Sequence, residues 1–233
     1  VKLLVVNADD LGYDPEIDRG ILEAHRRGIV SSATLMVETP YAARAVAAAP
    51  PGLGLGLHAV VDPGSDRTSA EERLRGQIER FRLLAGRLPT HLDSHKHAHA
   101  APAVLDAFAA VARELDLPVR AIDAGMRARL RAAGVLTADG FLGDAALRPA
   151  WAEEALAAAL LALGDGATEL MAHPGFTPSV ARTSFGAERE VELAALTSER
   201  ARDALAQSGA RLCRYDELAR LRSRPGEGRE GPR

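Results

Sequence analysis

Leu3-Leu4-Val5-Val6-Asn7-Ala8-Asp9-Asp10-Leu11-Gly12 is the stretch on which the reading of the fold turns. Four consecutive apolar residues read as a strand buried on both faces, the pattern of a parallel sheet covered by helices. The strand then runs out into two adjacent acids. Asp14-Pro15 marks a helix start, with Asp14 as N-cap and Pro15 in the first helical position. Ile17, Ile21, Leu22 and Ala24 supply an apolar stripe, and Gly28 stops the helix.

The same unit recurs along the chain. Residues 30–37 read as a strand and 41–49 as a short Ala-rich helix. Residues 53–57 form a third strand of alternating Leu and Gly that ends at His58, and 70–85 a charged amphipathic helix. A fourth strand, 90–93, precedes a helix at 101–115. Further on come a strand at 118–122 containing Arg120, a helix at 126–133 and a segment at 135–142 open between strand and loop. A helix at 151–163 leads to a strand at 168–172 ending in His173-Pro174-Gly175. A polar loop at 176–187, one long helix at 188–208, a short strand at 211–214 and a helix at 215–221 complete the pattern. Regular strand–helix alternation predicts an α/β fold with about seven parallel strands. Asp9, Asp10, His58, Asp93, His95 and His173 all fall at or just past strand ends, the face on which a (β/α) barrel gathers its active site. An open doubly wound sheet would gather only those near its switch point, so a closed or nearly closed barrel is expected. Residues 1–222 read as one domain, and 223–233, rich in Gly, Pro and charge, as a disordered tail.

Bulk properties narrow the function. The 233 residues carry a formal charge of -3 and are 47% hydrophobic, with few aromatics. That is enough apolar mass for a core, and it lacks the basic face of a nucleic-acid binder. No apolar run reaches the ~20 residues of a membrane span, and no secretory signal pattern opens the chain. The single cysteine, Cys213, fits a reducing cytoplasm. Nothing fixes the oligomeric state, and a homo-oligomer is compatible with the sequence.

His91-Leu92-Asp93-Ser94-His95-Lys96-His97-Ala98-His99 holds four of the seven histidines. In an extended chain the odd positions share one face, so several imidazoles and a carboxylate could meet at one point. Imidazole with carboxylate is a common set of metal ligands. Adjacent Asp9 and Asp10 raise each other's pKa unless a cation lies between them; one can bind a metal while the other acts as base on water. Alone, His58 reads as a structural strand-end histidine and His173 as a capped turn. Beside the acids, His58 becomes a candidate ligand and His173 a general acid. Arg120 either holds a polar substrate or pairs with Asp123.

Taken together, Asn7-Ala8-Asp9-Asp10-Leu11-Gly12, Gly56-Leu57-His58, Thr90-His91-Leu92-Asp93-Ser94-His95 and His173-Pro174-Gly175 resemble the YdjC-like carbohydrate deacetylases. That family includes chitooligosaccharide deacetylases and members associated with hopanoid biosynthesis. The resemblance implies a distorted β/α barrel of the polysaccharide-deacetylase type and removal of an N-acetyl group from an acetylated amino sugar or glycolipid. It implies one divalent cation, magnesium or zinc, held by Asp10, His58 and His95. Asp9 is then the base and His173 the acid, with His91, Asp93, His97 and Arg120 supporting the ligands or touching substrate, and His97 and His99 lying where substrate approaches. Lys96 interrupts the family's usual histidine run, Ala59-Val60-Val61-Asp62 differs from its usual Leu-Thr after the histidine, and 63–77 is short; all three changes surround the substrate. A phosphoesterase or amidohydrolase is the hydrolytic alternative, though those place His-x-His after the first strand. A non-catalytic sugar-binding protein is the other, and it would have no need of Asp9.

Overall fold

The computed structural model describes residues 1–143 and 151–222, without the side chains of 219–222; the tail expected at 223–233 lies outside the described residues. In chain order the elements are β1 (Lys2–Leu11), α1 (Pro15–Arg27), β2 (Ser32–Leu35), α2 (Ala42–Ala48), β3 (Gly54–Ala59), α3 (Arg67–Ala85) and β4 (Leu92–Ser94). A 3-10 turn (His95–Ala100), α4 (Pro102–Leu115), α5 (Ala124–Ala132), β5 (Gly140–Leu142), α6 (Glu153–Leu161) and β6 (Gly166–Ala172) follow. Then come α7 (Glu188–Thr197), α8 (Glu199–Ser208), β7 (Arg211–Leu212) and α9 (Tyr215–Arg222).

The strands are parallel and run in the order β4-β3-β2-β1-β6-β5, with β7 beside the start of β1. The sheet curls into a half-barrel. Its gap is spanned by irregular chain in place of the strand expected at 118–122. Leu92 N donates to Pro118 O, Arg120 N to Leu92 O, Val119 N to Leu136 O and Asp139 N to Ala167 O, and only one bridge, Leu92 to Val119, has strand geometry. Pro118 lacks an N–H, which weakens this segment as a ladder partner.

β1 is central. Leu4, Val5 and Val6 are fully buried, as a strand covered on both faces must be. Asp14 caps α1, its carboxylate accepting from Glu16 N at 2.8 Å with Pro15 at the helix start. The long helix expected at 188–208 is two. Ser198 takes an extended conformation and its hydroxyl accepts from Ala201 N at 3.0 Å, starting α8 anew.

Two local departures from regular strand geometry shape the site. On β1 the register with β2 shifts between Ala8 and Leu11, so three steps along β1 match two along β2, from Ala33 to Leu35. This is a β-bulge, and Asp10 sits in it at φ 71. In a regular strand Asp9 and Asp10 would face opposite ways; the bulge turns both toward one cavity. The second departure follows Ser94. The alternation expected through His99 ends there, and Lys96 (φ 54) and His97 (φ 53) are both left-handed. Non-glycine residues held at positive φ cost about 1–3 kcal/mol each and gather at functional sites.

Candidate metal centre and active site

The ends of β1, β3, β4 and β6 open on a cavity of about 400 Å³ lined by Asp9, Asp10, His58, His95, Lys96, His97, Met171, His173, Thr183, Ser184, Phe185 and Arg189. That size is usual for a small-molecule site. Among its lining residues, three elements bring together three atoms that could ligate a metal. Asp10 Oδ1 is 3.4 Å from His58 Nε2 and 3.3 Å from His95 Nδ1, and the two nitrogens are 3.4 Å apart. Two ligand atoms each about 2.1 Å from one ion at the tetrahedral angle stand about 3.4 Å apart. Asp10 Oδ1 is buried and, among the described residues, accepts no hydrogen bond. An orphaned carboxylate oxygen facing two imidazole nitrogens costs free energy unless a cation completes it. The residues present therefore fit a divalent ion.

The partners behind this triangle orient it. His58 Nδ1 lies 2.7 Å from Asp93 Oδ1, so it donates there and leaves Nε2 to the site, the usual arrangement of a ligand histidine backed by a carboxylate. Thr34 Oγ1 donates to Asp93 Oδ2 at 3.0 Å. Burial alone would lower the His58 pKa, but Asp93 and then Asp10 outweigh it and raise it to about 10. Asp10 is held well below the usual carboxylate range: burial opposes ionisation, while His58, His95 and Arg189 favour it more strongly.

Asp9 sits beside the triangle. Arg120 grips it in a bidentate pair and Asn7 Nδ2 donates to its Oδ1 at 2.8 Å. Burial pushes its pKa up, but Arg120 holds it lower overall. Its Oδ2, with one of these donors, lies 4.0 Å from His173 Nε2. His173 comes off the end of β6, its backbone N–H donating to Glu192 Oε2 at 2.6 Å and its ring 5.1 Å from that of Phe185. The turn beneath it packs on α1: a Cβ at Gly20 would overlap the backbone of Gly175.

The remaining sequence candidates have other places. Arg120 is completely buried. It pairs with Asp9, Asp93 and Glu169, while Asp123 caps α5 through Met126 N. It is thus beneath the cavity, where substrate cannot reach it. His91 is buried too: Nε2 donates to Asn7 Oδ1 at 3.0 Å and the ring stacks on Tyr215 at 4.1 Å. Gly56 has no side chain because the His91 ring fills that space. Burial drops the His91 pKa to about 4, so it is neutral. His99 points inward, away from substrate: Nδ1 meets Ser94 Oγ at 2.5 Å and Nε2 meets Arg120 O at 3.3 Å. His97 does line the cavity, its ring edge-on to Phe141 at 6.0 Å; burial lowers its pKa to about 4.

Three members of the network were not legible in the sequence. Glu169 and Tyr215 complete the shell around Arg120; Tyr215 Oη donates to Glu169 Oε2. Arg189 Nη2 donates to Asp10 Oδ2 at 2.6 Å. Its one signal in sequence is its setting, a cation between Glu188 and Glu190 in the first turn of a helix, where the dipole disfavours positive charge.

Residues 3–72 and 65–207 match the YdjC-like protein family. The chain belongs to the YdjC-like family. A carbohydrate deacetylase of Geobacillus stearothermophilus is 33% identical over 94% of this chain and 99% of its own. A chitooligosaccharide deacetylase of Yersinia pestis is 34% identical over 91% and 97%. Among solved structures, an Enterococcus faecalis protein named for cellobiose-phosphate cleavage superposes with a TM-score of 0.85 at 27% identity, over 93% of this chain and 98% of that one. A family 4 acetyl xylan esterase from Clostridium thermocellum, solved with a cobalt ion, gives 0.57 at 16% identity over 96% and 93%, a likeness of fold. This YdjC-like chain therefore has the polysaccharide-deacetylase fold. Among the described residues no helix is long and apolar enough to cross a membrane.

Proposed function

We propose that this YdjC-like protein is a metal-dependent hydrolase that removes the N-acetyl group from an acetylated amino sugar or glycoconjugate, releasing acetate and a free amine. The observation that carries this reading is the triangle of Asp10 Oδ1, His58 Nε2 and His95 Nδ1 at 3.3–3.4 Å, with Asp9 beside it. Relatives at 33–34% identity named as carbohydrate deacetylases support it.

Asp10, His58 and His95 would hold the ion. When bound, a divalent cation there supplies Lewis acidity toward the acetyl carbonyl and acidifies water. Asp9 Oδ2 takes the proton of the attacking water; Oδ1, with donors from Arg120 and Asn7, is the more fully engaged oxygen. Arg120 keeps Asp9 ionised and fixes its plane, so the base is oriented before substrate arrives. His173 Nε2, 4.0 Å from Asp9 Oδ2, protonates the departing amine nitrogen. Met171 and Phe185 give the cavity its apolar wall, which suits the acetyl methyl; Lys96 and His97 meet the hydroxyls of the sugar.

Glycoside cleavage fits the cavity less well. It needs two carboxylates on opposite sides of a sugar ring, about 5–9.5 Å apart. The acids lining this cavity, Asp9 and Asp10, are neighbours on one strand.

The test is acetate release. Metal-stripped protein, resupplied with zinc, magnesium or cobalt, is offered N-acetylglucosamine, its oligomers and N-acetylated glycolipids. Metal-dependent acetate with a matching free amine is expected. A protein that binds metal and releases no acetate from the panel contradicts the reading.

A further inference from the structure

Arg189 is about 1% exposed, and its guanidinium is divided among the parts of the site. Nη2 donates to Asp10 Oδ2 at 2.6 Å and Nε to Phe185 O at 2.9 Å, while Nη1 is buried and, among the described residues, has no hydrogen-bond partner. Its backbone carbonyl accepts from Gly175 N at 3.2 Å. The buried cation therefore leans on one carboxylate, and that carboxylate offers its other oxygen to the metal triangle.

We propose that Arg189 is a positioning residue that confines Asp10 to ligation through Oδ1 alone. A carboxylate free at both oxygens can chelate a cation, taking two positions and donating more charge. Here the charge-assisted bond from Arg189 occupies Oδ2, so a bound ion would keep open positions for water and substrate, as a catalytic centre requires. The guanidinium also sets a second positive charge behind the ligand. A bound ion would be held less tightly as a result and would be the stronger electrophile, because Asp10 would share its charge with two cations. Through Nε the same side chain anchors Phe185, so the wall of the cavity and the metal ligand are fixed by one group. This inference rests on the triangle holding a divalent ion, as the deacetylase reading above requires.

Cobalt(II) is the probe, because its visible absorption weakens as its coordination number rises. Titration calorimetry gives its affinity. Wild-type protein should show the strong absorption of a four- or five-coordinate ion. Arg189→Met removes a nearby positive charge and leaves Oδ2 to the ion: affinity should tighten about tenfold, absorption should weaken, and acetate release should fall. Arg189→Gln keeps a donor near Oδ2 without the charge; it guards against misfolding of the Met variant and should bind cobalt more tightly with a nearly wild-type spectrum. Arg189→Lys keeps the charge and should retain wild-type affinity. If Met and Gln variants that fold bind cobalt more weakly, or the Met spectrum is unchanged, Arg189 is scaffolding only and the proposal is overturned. Wild-type protein that binds no cobalt overturns the metal-centre reading and this one with it.

Discussion

Arg120 holds Asp9 through two parallel hydrogen bonds, Nη1 to Oδ2 and Nη2 to Oδ1, each 2.7 Å. The same guanidinium reaches Asp93 Oδ2 at 2.9 Å and Glu169 Oε1 at 2.7 Å. One buried cation thus serves the candidate base, the carboxylate that orients His58, and a third acid beneath them. Removing it leaves three carboxylates without their cation, and breaking a buried pair costs about 3–5 kcal/mol. Arg120→Gln should lose about that much in urea unfolding. Arg120→Lys keeps the charge but not the fork, and should unfold nearer to wild type while kcat/KM falls about a hundredfold. A Lys variant with wild-type kcat/KM would show that the fork does not position Asp9.

Gly20 and Gly175 meet backbone to backbone, and this contact sets His173 relative to Asp9. Gly20→Ala places a methyl where the Gly175 backbone lies. Overpacking of this kind costs about 1–3 kcal/mol. The expected outcome is a lower melting temperature together with a fall in kcat larger than any change in KM, because the proposed acid His173 moves while the rest of the cavity wall stays. Equal loss in a control such as Gly76→Ala, where nothing crowds the new Cβ, would contradict this.

Asp14 does two jobs. Besides capping α1 it accepts from the backbone N–H groups of Ser179, Val180 and Ala181 at 2.7–3.2 Å, pinning the loop whose continuation, Thr183 to Phe185, walls the cavity. Asp14→Ala should cost about 1–2 kcal/mol as a lost cap. It should also speed proteolytic cleavage between 177 and 187 well beyond what that loss of global stability explains. Limited proteolysis followed by mass spectrometry reads the difference.

His99 links stability to pH. Burial depresses its pKa to about 3 from an ordinary 6.5, so the folded state excludes the proton that the unfolded chain accepts. Its contribution is intact above pH 6.5 and is lost as pH falls from there toward the folded value. His99→Gln, which titrates in neither state, should give a shallower decline of unfolding free energy between pH 6.5 and 4 than wild type. Parallel curves for the two proteins would refute the assignment.

How far the sequence carried this picture depends on the kind of information needed. β1, the cap at Asp14 and the gathering of Asp9, Asp10, His58, His95 and His173 at strand ends follow from local pattern. Parity failed where the backbone leaves the strand. The bulge at Asp10 and the left-handed pair Lys96–His97 are set by packing between elements, and neither is a glycine that would announce a positive φ. Parity placed His99 toward substrate; the turn after Ser94 sends it to Arg120 O instead. Arg120 read as a substrate-binding cation or a partner of Asp123 because its real partners Asp9, Asp93 and Glu169 are 111, 27 and 49 positions away. The strand expected at 118–122 dissolved for want of a regular neighbour, and Ser198, a good N-cap, divided a helix that periodicity alone ran together.

Asp10, His58 and His95 are proposed to hold a divalent ion while Asp9 does the proton transfer. Asp9→Asn separates these roles most directly, with bound metal and acetate release measured on the same sample. Wild-type metal content, near one ion per chain, is expected, with acetate release reduced by about three orders of magnitude or more. Loss of the metal in Asp9→Asn, or substantial acetate release without Asp9, would contradict it.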